Sequence, residues 1–145
     1  MTTTATTQTP SAATHTLSQL GALLGTKVEQ KCRRCCGSGY WFGRGICFEC
    51  DLAGTTTHMR YTKVEKEILA AATARQMAVT EAVKVRAEEL YAGTPTDSWD
   101  ARYGLYDIRD TAPERFLKLM ASVENGRLDD VVRALVAHHQ TRTAG

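Results

Sequence analysis

Leu17, Leu20, Leu23 and Leu24 recur at three- and four-residue steps, the spacing of one helix face. Thr16 or Ser18 stands where a cap belongs, and Gly25 follows where a short helix over 17–26 would end. Residues 27–61 lose that periodicity. They are rich in glycine and cysteine and read as turns and a short β-hairpin, with an exit strand at His58–Tyr61. Helical spacing returns at Thr62-Lys63-Val64-Glu65, a capping box in which the threonine hydroxyl and the glutamate carboxylate each take an orphan amide. From there to Tyr91 no Gly or Pro occurs, and Val64, Ile68, Ala72, Val79, Val83 and Leu90 approximate one stripe. The pattern predicts a long helix over 62–93, with Gly93 as its left-handed terminator and Pro95 as its stop. Its length would be roughly 44 Å at 1.5 Å per residue. A helix that long is either broken near Thr73–Thr80 or reaches toward a partner.

Residues 94–110 show only weak alternation at Tyr103, Leu105 and Asp107, which predicts a loop or short strand. Thr111-Ala112-Pro113-Glu114 reads as a second capping box, and Phe116, Leu117, Met120 and Val123 follow as an apolar face ended by Asn125-Gly126. Leu128, Val131, Val132, Leu135 and Val136 predict a last helix, with Asp129 and Asp130 in its first turn and His138 and His139 near its end. Together 111–140 form a helical hairpin, and 141–145 a tail. Residues 1–16 are nearly all Thr, Ala, Ser and Gln and are expected to be disordered. The expected fold class is mainly α, with a long central helix, a C-terminal helical hairpin and a small inserted β-hairpin.

Composition narrows the picture. The chain has 145 residues, 43% of them hydrophobic, and only ten aromatics, so its core leans on Ala, Val and Leu. No apolar run approaches the roughly 18 residues of a transmembrane helix. No basic residue precedes Lys27, so no secretory leader is expected, and a cytoplasmic location follows. The formal charge of +2 is too small for a histone-like coat.

The candidate chemistry lies in five cysteines between positions 32 and 50. Cys32-Arg33-Arg34-Cys35 and Cys47-Phe48-Glu49-Cys50 are CxxC pairs separated by eleven residues, with Gly43-Arg44-Gly45 as the tip of the spacer. Two such turns brought together supply four thiolates to one Zn²⁺. The expected ligands are Cys32, Cys35, Cys47 and Cys50, with one zinc per chain, and Cys36 as a replacement for Cys35 or a bystander. Four protein thiolates leave no coordination position for water or substrate, which favours a structural over a catalytic metal. An iron–sulfur cluster and a redox-active pair are the competing readings. A segment of about 30 residues cannot bury enough core to fold alone. Zinc binding in small modules, about 10–16 kcal/mol, matches the net stability of a whole domain. The metal should therefore decide whether 30–55 is ordered.

Cys32-Arg33-Arg34-Cys35-Cys36-Gly37-Ser38-Gly39 fits CxxCxGxG and resembles the cysteine-rich zinc-finger repeat of DnaJ-type cochaperones. That resemblance, over residues 32–54, implies a zinc site built from paired repeats whose glycines let the backbone turn around the metal. The second copy departs from it, with Leu52 at the first glycine position and Gly54 at the second. No His-Pro-Asp tripeptide occurs, so the cochaperone role does not carry over. The whole chain also resembles small proteins of actinobacterial phages, which would place it in the host cytoplasm.

Four of the ten aromatics, Tyr40, Trp41, Phe42 and Phe48, crowd into nine positions. They either pack the module onto the long helix or present a binding surface together with Arg33, Arg34 and Arg44. Lys31, Arg33, Arg34 and Arg44 also surround the thiolates and could serve to stabilise them. The expected function is a non-catalytic, zinc-binding protein-interaction adaptor, with a homodimer through the long helix as one arrangement. The alternatives are a zinc-dependent nucleic-acid-binding regulator and a thiol-based redox sensor. No phosphate loop, His-Glu metal-hydrolase pair or nucleophile elbow is present. Adjacent His138 and His139 diverge by about 100° on a helix and do not share a site. His58 is a spare ligand at most. Asp97, Asp100, Asp107 and Asp110 read as a solvated acidic surface.

Overall fold

A computed structural model describes residues 9–41 and 45–144. Among these, five helices and one two-stranded sheet follow the order α1 (Leu17–Leu23), β1 (Thr26–Lys31), β2 (Thr55–Arg60), α2 (Lys63–Leu90), α3 (Pro95–Thr111), α4 (Pro113–Glu124) and α5 (Leu128–Thr143). The chain forms two compact units. One is Leu24–Lys66, and the other is made of the residues before and after it. No helix is long and apolar enough to cross a membrane.

The smaller unit is closed by an antiparallel ribbon that pairs Thr26 with Arg60 through to Lys31 with Thr55. Its strands are the Thr- and Val-bearing runs that flank the cysteines, which suits the preference of β-branched residues for pleated backbone. Among the described residues of the Gly-rich spacer between the CxxC pairs, one bridge forms, Tyr40 to Ile46. The expected exit strand thus begins three residues earlier, at Thr55. The first turn of α2 lies in this unit and carries the expected capping box. Thr62 N–H donates to Glu65 Oε1 at 2.9 Å, and Glu65 N–H donates to Thr62 Oγ1 at 3.1 Å. Glu65 Oε2 also accepts the Gly25 N–H at 2.6 Å, tying the start of α2 to the residue before β1. Those amide bonds, Gly25 foremost, hold the Glu65 carboxyl below its usual range.

In the larger unit, α1 is opened by reciprocal bonds between Thr16 and Gln19, at 2.9 and 3.2 Å. Residues 1–8 of the expected tail lie outside the described residues. The stretch just before α1 is not loose: Thr14 and His15 amides both donate to Ser11 O, and the Ala12 carbonyl accepts Arg75 Nη1 at 2.7 Å. α2 is continuous across Thr73–Thr80, where both hydroxyls donate to carbonyls four residues back instead of breaking the helix. Val79, Val83 and Ala87 of α2 bury against Ala101, Leu105, Ile108, Phe116, Met120 and the valines and leucine of α5. Val64, placed in the stripe by its spacing, is 63% exposed.

Residues 94–110 correct the sequence reading: they form helix α3, not a loop or strand. Pro95 is in its first turn, where a proline costs nothing because the amide there is unpaired anyway. Gly93 does not adopt a left-handed terminator; Thr94 N–H closes the turn onto Tyr91 O at 2.9 Å. The buried face of α3 is Ser98, Ala101, Gly104, Leu105 and Ile108, and α3 is the main packing partner of α5. At Gly104 the two backbones approach so closely that a Cβ would lie 2.5 Å from Leu135 O. The second capping box does not form. Thr111 is the last residue of α3 and its hydroxyl donates to Asp107 O at 2.7 Å, leaving Ala112 as the residue before α4. Gly126, at φ +84°, ends α4 as its place after Asn125 predicts.

Of the aspartates of α3, Asp110 is exposed as expected, but Asp97, Asp100 and Asp107 are half-buried against α5 and not a solvated surface. His138 Nε2 meets Asp107 Oδ2 at 2.8 Å, and Arg142 also pairs with Asp107. His139 Nε2 lies 3.7 Å from Asp100, and Gln140 donates to Asp97 at 2.9 Å. Asp110 pairs with its neighbour Arg109. The two histidines diverge as expected, but each turns to its own aspartate on α3 and not to solvent or the helix end.

Candidate metal centre

The four predicted ligands come together. Cys32, Cys35, Cys47 and Cys50 are buried, and their Sγ atoms all lie within 4.8 Å of one another. Cys32 and Cys47 Sγ are 3.9 Å apart, and Cys35 and Cys50 Sγ are 3.6 Å apart. Four sulfurs at about 2.3 Å around a tetrahedral Zn²⁺ are separated by about 3.8 Å. A disulfide needs about 2.05 Å, and all five cysteines are free thiols. The donor set and its spacing therefore fit one metal ion of the zinc type.

The backbone explains how 23 residues achieve this. The two knuckles repeat one conformation at an offset of fifteen residues. Cys36, Gly37 and Gly39 have φ of 54°, 88° and 82°, and Asp51, Leu52 and Gly54 have 48°, 72° and 76°. Cys32 N–H donates to Gly54 O, and Cys47 N–H to Gly39 O, both at 2.9 Å. Each knuckle thus closes onto the far end of the other. A Cβ on Gly39 would stand 2.8 Å from Leu52 O, and one on Gly54 would stand 2.6 Å from Gly37 O. Both glycines are required by left-handed backbone and by contact with the opposite knuckle.

Burial pushes the Cys35 and Cys50 thiols up, and their surroundings then divide the two. At Cys35 the Gly39 amide, 3.3 Å from Sγ, together with the Cys50 thiol and the Gly37 amide outweighs burial and brings the group down to about 6. At Cys50 burial dominates and the neighbouring thiols add to it against the Gly54 amide, pushing it up to about 12. Crowded thiols cannot all ionise without a cation, which is the condition a divalent metal satisfies.

Cys36 is exposed and outside the cluster, so Cys35 and not Cys36 belongs to the candidate donor set. His58 is paired with Val28 across the ribbon and is not among the clustered donors. The expected binding surface is only partly realised. Phe42 and Arg44 lie outside the described residues. Arg33 and Tyr40 are exposed. Arg34 is half-buried, and its guanidinium lies over the Trp41 ring at 4.3 Å and the Phe48 ring at 3.7 Å, so it links the spacer to the second knuckle. Ile46 and Leu52, 54% and 47% exposed, are surface residues that sequence reasoning missed. The fifteen-residue offset was the signal for them, since it maps Ile46 onto Lys31 and Leu52 onto Gly37.

No protein-family model, curated protein or solved structure matches this chain. The likeness to the DnaJ-type repeat therefore stands on residues 32–54 alone.

Proposed function

We propose that the chain binds one Zn²⁺ through Cys32, Cys35, Cys47 and Cys50 and acts as a non-catalytic protein-interaction adaptor. The observation that carries the metal reading is the buried four-sulfur cluster, whose 3.6–3.9 Å separations suit tetrahedral thiolate ligation. All four positions are filled by protein sulfur, so the ion orders the knuckles and offers no open coordination position. The adaptor reading is supported by apolar side chains left on the unit's surface: Tyr40 is 58% exposed and Phe48 71%.

The nucleic-acid alternative has support in charge, since Leu24–Lys66 holds eight Lys and Arg against four Asp and Glu. Titration of labelled single- and double-stranded DNA at two salt concentrations separates the readings. Phosphate contacts weaken steeply with salt, and the adaptor reading expects no such binding. The redox-sensor alternative requires peroxide to release zinc and change partner binding, with Cys36 reacting first. Size measurement on the intact chain reads whether α2, with Met77 67% exposed, pairs with a second copy.

A further inference from the structure

Helix α3 turns its large side chains outward. Trp99, Tyr103 and Tyr106 stand at i, i+4 and i+7, a ridge along the face opposite the buried Ala101, Leu105 and Ile108. Trp99 is 51% exposed and Tyr103 50%. The ridge is one continuous surface. The Trp99 and Tyr103 rings stack with centroids 6.2 Å apart, and the His139 ring of α5 lies 5.5 Å from Tyr103. Arg102 lies over Trp99 at 4.5 Å, and Arg109 over Tyr106 at 5.0 Å. Beside Trp99 a hollow of about 240 Å³ opens between the end of α2 and the start of α3, walled by Tyr91, Pro95, Ser98 and Trp99. Trp and Tyr are among the side chains that gain most from burial, so a contiguous ridge of them left in water marks a contact surface.

Charge and hydrogen bonding select what it contacts. The two arginines are matched, Arg102 by Glu88 and Arg109 by Asp110. Asp97 and Asp100 are half-buried and engaged by Gln140 and His139 of α5. No cation of the ridge is thus left over for phosphate or carboxylate, and its carboxylates already hold partners. By contrast, the Trp99 indole N–H and the Tyr91, Tyr103 and Tyr106 hydroxyls donate to no described residue. The surface offers rings and hydrogen-bond donors. A polyproline II segment offers the complement: proline rings, and carbonyls that no internal hydrogen bond occupies. Proline has no N–H, so such a segment asks for no acceptor. Two of its residues advance about 6.2 Å, at about 3.1 Å each, which is the spacing of the Trp99 and Tyr103 rings.

We infer that this ridge is a docking surface for a neutral, proline-rich segment of another protein in the polyproline II conformation. Trp99 is its central anchor, and the hollow beside Tyr91 takes a proline ring. The inference goes beyond the adaptor reading above, whose Tyr40 and Phe48 belong to the other compact unit.

The test is an anisotropy titration of fluorescein-labelled decaproline with the zinc-loaded full-length chain, beside a labelled Gly-Ser peptide of equal length. The expected result is saturable binding of decaproline, at least about tenfold tighter than the Gly-Ser peptide. Trp99→Ala and Tyr103→Ala should each weaken it about tenfold or more. Both side chains are half in water, so helix content by circular dichroism should be unchanged. Trp99→Phe, which keeps a ring and loses the donor, should weaken it about three- to tenfold. Raising the salt about tenfold should change the affinity less than about twofold, because no net charge is neutralised. Decaproline that binds no better than the Gly-Ser peptide, or binding indifferent to both alanine variants, overturns the inference. Binding lost in Phe48→Ala and kept in Trp99→Ala overturns it by placing the peptide on the zinc unit. Displacement of the peptide by a lower concentration of maltohexaose overturns it in favour of a neutral saccharide, and by oligothymidylate in favour of single-stranded nucleic acid.

Discussion

Gly54→Ala is the sharpest structural test of the paired-knuckle geometry. Gly54 has φ +76°, and an added Cβ would meet Gly37 O at 2.6 Å. The left-handed backbone costs an L-residue about 1–2 kcal/mol. A less flexible unfolded chain returns about 0.4–1 kcal/mol. The contact is with backbone, which cannot rotate away, and such overpacking costs about 1–3 kcal/mol. The net is about 2–3 kcal/mol. Because the knuckles and the metal site form together, it should appear as a loss in zinc affinity of about 30- to 150-fold. Competition against a chromophoric chelator measures it. Gly39→Ala is the mate of this change, with its Cβ 2.8 Å from Leu52 O, and should lose a similar amount. Gly45→Ala is the control: it has φ +101° but no described residue within 4 Å of the new atom, so among the described residues it meets no clash and bears the backbone cost. If Gly54→Ala and Gly39→Ala bind zinc no worse than Gly45→Ala, the reciprocal closure of the knuckles is wrong.

Two further outcomes follow from the packing and the caps. Gly104→Ala should destabilise the helical unit by about 1–3 kcal/mol in urea, although alanine is the better helix former by about 1 kcal/mol, because its Cβ wedges α3 from the Leu135 backbone of α5; a stabilised variant would contradict that close approach. Glu65→Gln should melt lower than wild type at neutral pH, and the gap should close as pH falls. The Glu65 carboxyl is held below its ordinary 4.5 by the Gly25 and Thr62 amides, so its contribution is complete above that value and lost through the lowered one. A gap that does not vary with pH would remove the charge from the argument.

The ligand set was legible because metal chemistry fixes residue type and spacing together. Two CxxC pairs need no tertiary information to be read. The capping box at Thr62 and Glu65 and the Asn125-Gly126 stop were equally local, and they stand in the structure. Helix α3 was hidden for a physical reason. Its buried face is Ser98, Ala101 and Gly104 as much as Leu105 and Ile108, small residues that allow close approach and carry little hydrophobic signal. Its large aromatics, Trp99, Tyr103 and Tyr106, face out, where Trp99 and Tyr103 stack at 6.2 Å. Missing α3 also made the aspartates look solvated, since their partners His138, His139, Gln140 and Arg142 arrive only when α5 packs beside them. The Arg34 contacts were beyond sequence for the same kind of reason: they depend on the spacer and the second knuckle bringing Trp41 and Phe48 to one guanidinium.

The central claim is the metal, and native mass spectrometry of untagged full-length protein, purified without chelator, tests it most directly. The account predicts one zinc ion per chain, lost together with the structure of the knuckle unit when a strong chelator is added. A metal-free chain lighter by two or four protons, the mass of one or two disulfides, would contradict it, as would the mass of an iron–sulfur cluster.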